Sequence, residues 1–152
     1  MGRKYLLLLV CAFLLFGCGS PKWAVYTNEK FSVSYPLGDI EQTEGDELFK
    51  VSDGLCQLTV TKLANQPSFE AFVDYTKGFY RDTEGITLAS EKVTDSSAEF
   101  RVIANTDEGS YEGQIKMIPC GEKTVYIVMF GCLEGWYDQE KADRALGSVQ
   151  CK

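Results

Sequence analysis

Alternation of apolar and polar side chains dominates the chain from Trp23 onward. In Phe31-Ser32-Val33-Ser34-Tyr35 the apolar residues share one face and the serines the other, and Pro36 stops the run. With Trp23 to Tyr26 this predicts two short strands around the turn Thr27-Asn28-Glu29-Lys30. A polar, glycine-containing stretch leads to a strand over Glu47 to Ser52. The turn Asp53-Gly54 then opens a strand over Leu55 to Leu63, where Cys56, Leu58 and Val60 alternate with Gln57, Thr59 and Thr61. The period changes after Pro67. Ser68 can cap a helix, and Phe69, Phe72, Val73, Thr76 and Tyr80 keep to one side of a 3.6-residue repeat until Gly85. Strands follow over Ile86 to Val93, Ala98 to Ala104, Tyr111 to Ile118 and Thr124 to Phe130, the last being the most apolar. A closing helix is predicted over Asp138 to Gln150, with Ala142, Ala145, Leu146 and Val149 on one face.

This order predicts the α+β class: a twisted antiparallel sheet with two helices packed against it. It resembles the PsbP-like fold of photosystem II extrinsic subunits and small DcrB-like bacterial lipoproteins. The resemblance would cover residues 23–150. It rests on the opening Trp23 and Phe31 to Pro36, the helix Ser68 to Tyr75, the strand Thr124 to Val128, and Trp136-Tyr137-Asp138 before the last helix. It implies a fold and a location, and no reaction.

The location is also written at the N-terminus. Arg3 and Lys4 precede an apolar run from Tyr5 through Phe16, and Leu15-Phe16-Gly17-Cys18 is followed by Gly19-Ser20. A run of about 12 residues is too short for the roughly 20 that span a bilayer, and the layout is that of an export signal. Its end resembles the lipobox of bacterial lipoproteins, with Phe16 where a small residue is usual. That resemblance implies a signal peptide over residues 1–17, a diacylglycerol on Cys18, and a tether over residues 18–22 before a domain at 23–152. The expected address is the outer membrane of a Gram-negative cell or the surface of a Gram-positive one. An ordinary cleaved signal peptide is the competing reading.

Charge and side-chain inventory then narrow the chemistry. The whole chain carries 15 basic and 22 acidic residues, a net charge of −7. Removing residues 1–17 takes away Arg3 and Lys4 and no acid, which leaves −9. Such a surface does not suit nucleic acid. With no histidine in the chain, Ser-His-Asp and Cys-His arrangements are excluded. No metal site or cofactor is expected, because the cysteines lack zinc-finger spacing and the acidic clusters around Gly45 and Gly109 do not follow a calcium loop. The expected function is therefore a non-enzymatic accessory lipoprotein, held on the bilayer through Cys18, that binds an envelope protein or a small ligand. Trp136 and Tyr137, in a loop after Gly135, are candidate binding residues; the alternative is that they staple the last helix. Two other functions stay open, a carboxylate-based envelope hydrolase and an acidic inhibitor of a basic enzyme such as lysozyme.

Export favours oxidation of the four remaining cysteines, Cys56, Cys120, Cys132 and Cys151. The strand ending at Cys132 is roughly 30 Å long. The helix after it must run back about 18 Å, which carries Cys151 towards Cys120 and away from Cys132. Cys120–Cys151 is the expected pair, and Cys56–Cys132 follows by elimination. Free thiols are the alternative.

Overall fold

The computed structural model describes residues 23–36 and 38–152. The signal peptide, Cys18 and the tether lie outside the described residues. Among the described residues, ten strands and two helices follow one another as β1 (Trp23–Thr27), β2 (Phe31–Pro36), β3 (Asp39–Ile40), β4 (Glu47–Ser52), β5 (Cys56–Leu63), α1 (Phe69–Asp82), β6 (Ile86–Thr94), β7 (Ser97–Thr106), β8 (Gly109–Pro119), β9 (Val125–Leu133), α2 (Gln139–Gly147) and β10 (Gln150–Cys151). The class is mixed α+β with antiparallel pairing throughout.

The sheet is not single. Seven strands form one sheet in the order β3-β4-β5-β9-β8-β7-β6, and β1, β2 and β10 form a separate three-stranded one. β9 inserts between β5 and β8, so the large sheet joins two meanders through its centre. Two departures from the periodicity concern short elements. Asp39–Ile40 pairs with β4 although no alternation marks it. The last helix stops at Gly147, and Gln150–Cys151 becomes a strand against Ser32 and Phe31. Val149 continues the helical stripe in sequence and is buried, but it lies beyond the helix, between its C-cap Ser148 and β10.

Each face of the large sheet has its own cover. On the front face Phe49, Val51, Leu58, Val60, Val128 and Phe130 pack against Phe31, Val33 and Tyr35 of β2 and against Ala142, Ala145 and Leu146 of α2. On the back face Ala98, Phe100, Ile115 and Met117 pack against Val73 of α1. Both helices begin on a side-chain cap. Ser68 Oγ accepts the Ala71 N–H at 3.1 Å, and Asp138 Oδ1 accepts the Lys141 N–H at 3.1 Å. Gly85 ends the α1 segment with φ +81°, and a Cβ there would meet the Asn105 carbonyl oxygen at 2.7 Å. A glycine is needed for both reasons.

Two disulfides close the structure. Cys56 and Cys132 are register partners on β5 and β9, with Cα atoms 4.0 Å apart. Cys120 is joined to Cys151 on β10, with Cα atoms 5.9 Å apart, which fastens the end of the chain to the β8–β9 turn. The two bonds span 76 and 31 residues. Loop entropy assigns them about 4.5 and 3.7 kcal/mol, upper figures because the unfolded chain is not a random coil. Reducing both should therefore lower stability by several kcal/mol. Non-reducing peptide mapping should recover Cys56 linked to Cys132 and Cys120 linked to Cys151. A Cys132–Cys151 peptide, or four alkylatable thiols in the native protein, contradicts the arrangement.

Candidate functional site

Cover on the back face is incomplete, and the gap follows from the direction of α1. The Gln66 N–H, just before the helix, donates to the Lys123 carbonyl by the start of β9. The helix ends beside the start of β6, where Asn105 N–H donates to the Gly85 carbonyl at 2.7 Å. It therefore crosses the sheet diagonally. Lys77 and Arg81 lie on one flank of α1 and both pair with Glu91 of the edge strand β6, at 3.3 and 3.0 Å. At 100° per residue Phe72, Tyr75 and Phe79 fall on the other flank, the one turned towards β9 and β5. Tyr75 is 72 % exposed and Phe79 50 %.

What the diagonal leaves open is an apolar groove of ≈ 390 Å³ across the far ends of β5, β9, β8 and β7. Its floor is made by register. Gly131 lies opposite Gly113, Gly113 opposite Val102, and Gln57 opposite Gly131. Two adjacent central strands thus carry no side chain at the same level, so the floor sinks to backbone. Met129, 39 % exposed, borders it on the helix side. Leu133, Tyr111 and Leu55 form the outer rim. Backbone bonds hold that rim: the Leu133 N–H donates to the Leu55 carbonyl at 2.9 Å, and the Glu134 N–H to the Ser110 carbonyl at 2.8 Å. The Cys56–Cys132 bond lies at the same border. The charged residue among the lining, Glu112, turns its carboxylate to Arg101, whose Nε donates to it at 2.7 Å. Among the described residues, no Lys or Arg lines the groove.

The two loop aromatics part company. Trp136 is 59 % exposed, and its carbonyl lies 3.8 Å from the Cys56 sulfur, close to the groove's outer end. Tyr137 instead folds over the front face, with its ring 6.3 Å from that of Phe130. Its hydroxyl donates to Gln114 Oε1 at 3.0 Å. The same oxygen accepts from Gln139 Nε2 at 2.7 Å, and that amide also donates to Asp143 at 2.8 Å. The Arg101 guanidinium sits 5.3 Å from the Tyr137 ring centroid. Tyr137 thus ties the start of α2 to β8, and Trp136 is the one of the pair left facing solvent. Among the described residues, no three His, Cys, Asp or Glu side chains gather as a metal site, and no helix is long and apolar enough to cross a membrane.

Gly113, Gly131, Met129, Tyr111 and Leu133 are not singled out by the sequence. A glycine in mid-strand does signal close backbone approach, but two of them form a floor only when β8 and β9 pair in this register.

No protein-family model matches the chain, and no curated protein does. Among solved structures it is similar to a protein of Bacteroides thetaiotaomicron VPI-5482, with a TM-score of 0.57 and 11 % identity. The alignment covers 88 % of this chain and 49 % of the other, so this chain spans about half the neighbour's length. At that identity the likeness speaks for the fold alone.

Burial pushes the Tyr137 phenol up to about 12; Arg101 opposes the rise, and Glu112, Asp143 and Asp138 add to it. The folded protein therefore holds this proton more tightly than the unfolded chain, whose tyrosines titrate near about pH 10. The resulting stability is present below about pH 10 and is lost as pH rises towards the folded value. Tyr137→Phe should lower stability at neutral pH by about 1 kcal/mol through the lost hydrogen bond. It should also flatten the fall in stability at alkaline pH and remove the highest-pH phase of the phenolate absorbance titration. An unchanged titration contradicts the assignment.

Proposed function

We propose that the chain is a non-enzymatic accessory lipoprotein with a PsbP-like fold, anchored to the bacterial envelope through Cys18, and that it binds an apolar ligand on its open sheet face. The groove carries this reading. A concave, mainly apolar cleft with few polar groups is the usual form of a small-molecule site, and ≈ 390 Å³ falls within the roughly 300–1,000 Å³ of such sites. Its mainly apolar lining, with Ser52 and Gln57 as uncharged polar side chains, suits retention of an apolar group. Acid–base chemistry would need titratable groups converging on a reacting atom, and the carboxylate at this border is engaged by Arg101 on the opposite face. The anchor reading is supported by the charged, apolar and Gly17-Cys18 segments in order. The PsbP-like reading is supported by the helix-bearing antiparallel meanders and the aromatic loop before α2.

Two measurements test it. An environment-sensitive apolar dye such as N-phenylnaphthylamine should bind the exported domain at about one site. Gly131→Val should reduce that affinity at least about tenfold while leaving the fold as stable or more so, since a β-branched residue suits a strand. A Cβ at Gly131 meets its nearest atom at 3.7 Å, an ordinary contact. Equal dye binding by the variant means that the groove is not the binding site. Separately, Cys18→Ser should leave unprocessed precursor or release the domain from membranes. A signal-cleaved Cys18→Ser protein that still partitions wholly into detergent contradicts the anchor.

A further inference from the structure

The groove opens at the end of the molecule where the chain enters the described structure. Trp23 is the register partner of Pro36. Pro36 lines a narrow crevice with Ser52, Asp53, Cys56 and Gln57, and the turn formed by Ser52 to Gln57 is also one wall of the groove. Five residue steps separate Trp23 from Cys18, a reach of about 17 Å. A lipid on Cys18 therefore holds this end of the sheet near the headgroups. Exposed Leu55, Tyr111 and Trp136 project at the same end. Trp136 has the amphipathic ring that settles at a membrane–water boundary.

Charge around the opening selects among lipids. Asp53 and Glu134 are exposed and adjoin the lining residues Ser52, Gly54 and Leu133 in sequence, and Asp107 and Glu108 are exposed in the β7–β8 turn. Asp53 Oδ1 also accepts the Leu55 and Cys56 N–H groups, and among the described residues no cation lines the groove. A free fatty acid or an anionic headgroup would meet like charge without a counter-ion, whereas an ammonium group would meet carboxylates.

We propose that the groove holds one acyl chain of an amine-headed zwitterionic phospholipid, drawn from the leaflet in which Cys18 is anchored, with its headgroup amine at the Asp53–Glu134 opening. This deepens the anchored-binding reading above and rests on it. The chain lies over the Gly113–Gly131 floor, between Met129 on the helix side and Leu133 and Tyr111 on the rim.

The test uses the full lipidated protein in vesicles containing phosphatidylethanolamine with a diazirine at the end of one acyl chain. Irradiation should label the tryptic peptide 124–141, which carries Met129 and Leu133. Labelling should fall at least tenfold in Gly131→Val, and also in Met129→Glu, a change at an exposed position that keeps the fold. The matching phosphatidylglycerol probe should label several-fold less. Equal labelling of wild type and both variants overturns the proposal. Equal labelling by the two headgroups, or label confined to peptides away from the groove, does so too. A groove already filled by the protein's own acyl group, by a second copy or by another protein leaves the probe unincorporated, and that result overturns the proposal as well. N-phenylnaphthylamine separates the lipid from the binding surface. Dye binding lost in Gly131→Val without lipid labelling sinks the lipid and spares the binding module; neither signal sinks both.

Discussion

The structure depends on β9 contributing side chains to both cores, although the back of its far end stays open. Val128, Phe130 and Cys132 point into the front core, while Val125 and Ile127 point into the back one. A strand that serves two cores reads as a near-continuous apolar run and sits in the middle of its sheet. β9 pairs with β5 along eight residues and with β8 along nine. Those ladders join the β3-β4-β5 half to the β8-β7-β6 half, and a one-residue slip in either would exchange the two cores. The Cys56–Cys132 bond joins register partners at the end of the first ladder. That is where it restrains such a slip most directly.

From that strand the uneven cover follows. The three-stranded sheet and α2 cover the front of β4, β5 and β9, while the front of β7 and β8 carries the Arg101–Glu112 and Lys116–Glu99 ion pairs instead. The back face has one fourteen-residue helix, about 21 Å long, laid on a diagonal over the β9-β8-β7-β6 half. Its Lys77 and Arg81 are drawn to Glu91 at the β6 edge, and the opposite side of the sheet is left bare. Bare alone would mean a flat surface. The pairing of Gly113 with Gly131 turns it into a groove, and the bonds from Leu133 to Leu55 and from Glu134 to Ser110 give it a rim.

Much of this was legible from residue order. The β2 and β5 alternation, the Ser68 and Asp138 starts and the apolar β9 all follow from local rules that need no partner. Period-two alternation says that a strand has a buried face but not which layer covers it. The division into two sheets was therefore invisible, as was the insertion of β9 between β5 and β8. β10 has two exposed residues and no pattern; its pairing with β2 is a tertiary event, next to the Cys120–Cys151 link. The groove was hidden for a related reason. Its floor comes from glycines eighteen positions apart in sequence, and Met129 and Leu133 look like ordinary core residues in an apolar strand. Trp136 and Tyr137 drew attention as an aromatic pair, yet Tyr137 packs against Phe130 and Gln114 and only Trp136 stays exposed.

Residues 18–152 contain two methionines, one on each side of the question: Met117 is fully buried in the back core, and Met129 is 39 % exposed at the groove. The most direct measurement of the central claim is a methyl NMR spectrum of the lipidated protein, labelled at methionine ε-carbons, in phosphatidylethanolamine nanodiscs. An acyl chain in the groove predicts cross-peaks between the Met129 methyl and lipid chain methylenes, with none from Met117. A Met129 methyl that contacts only water or protein contradicts it.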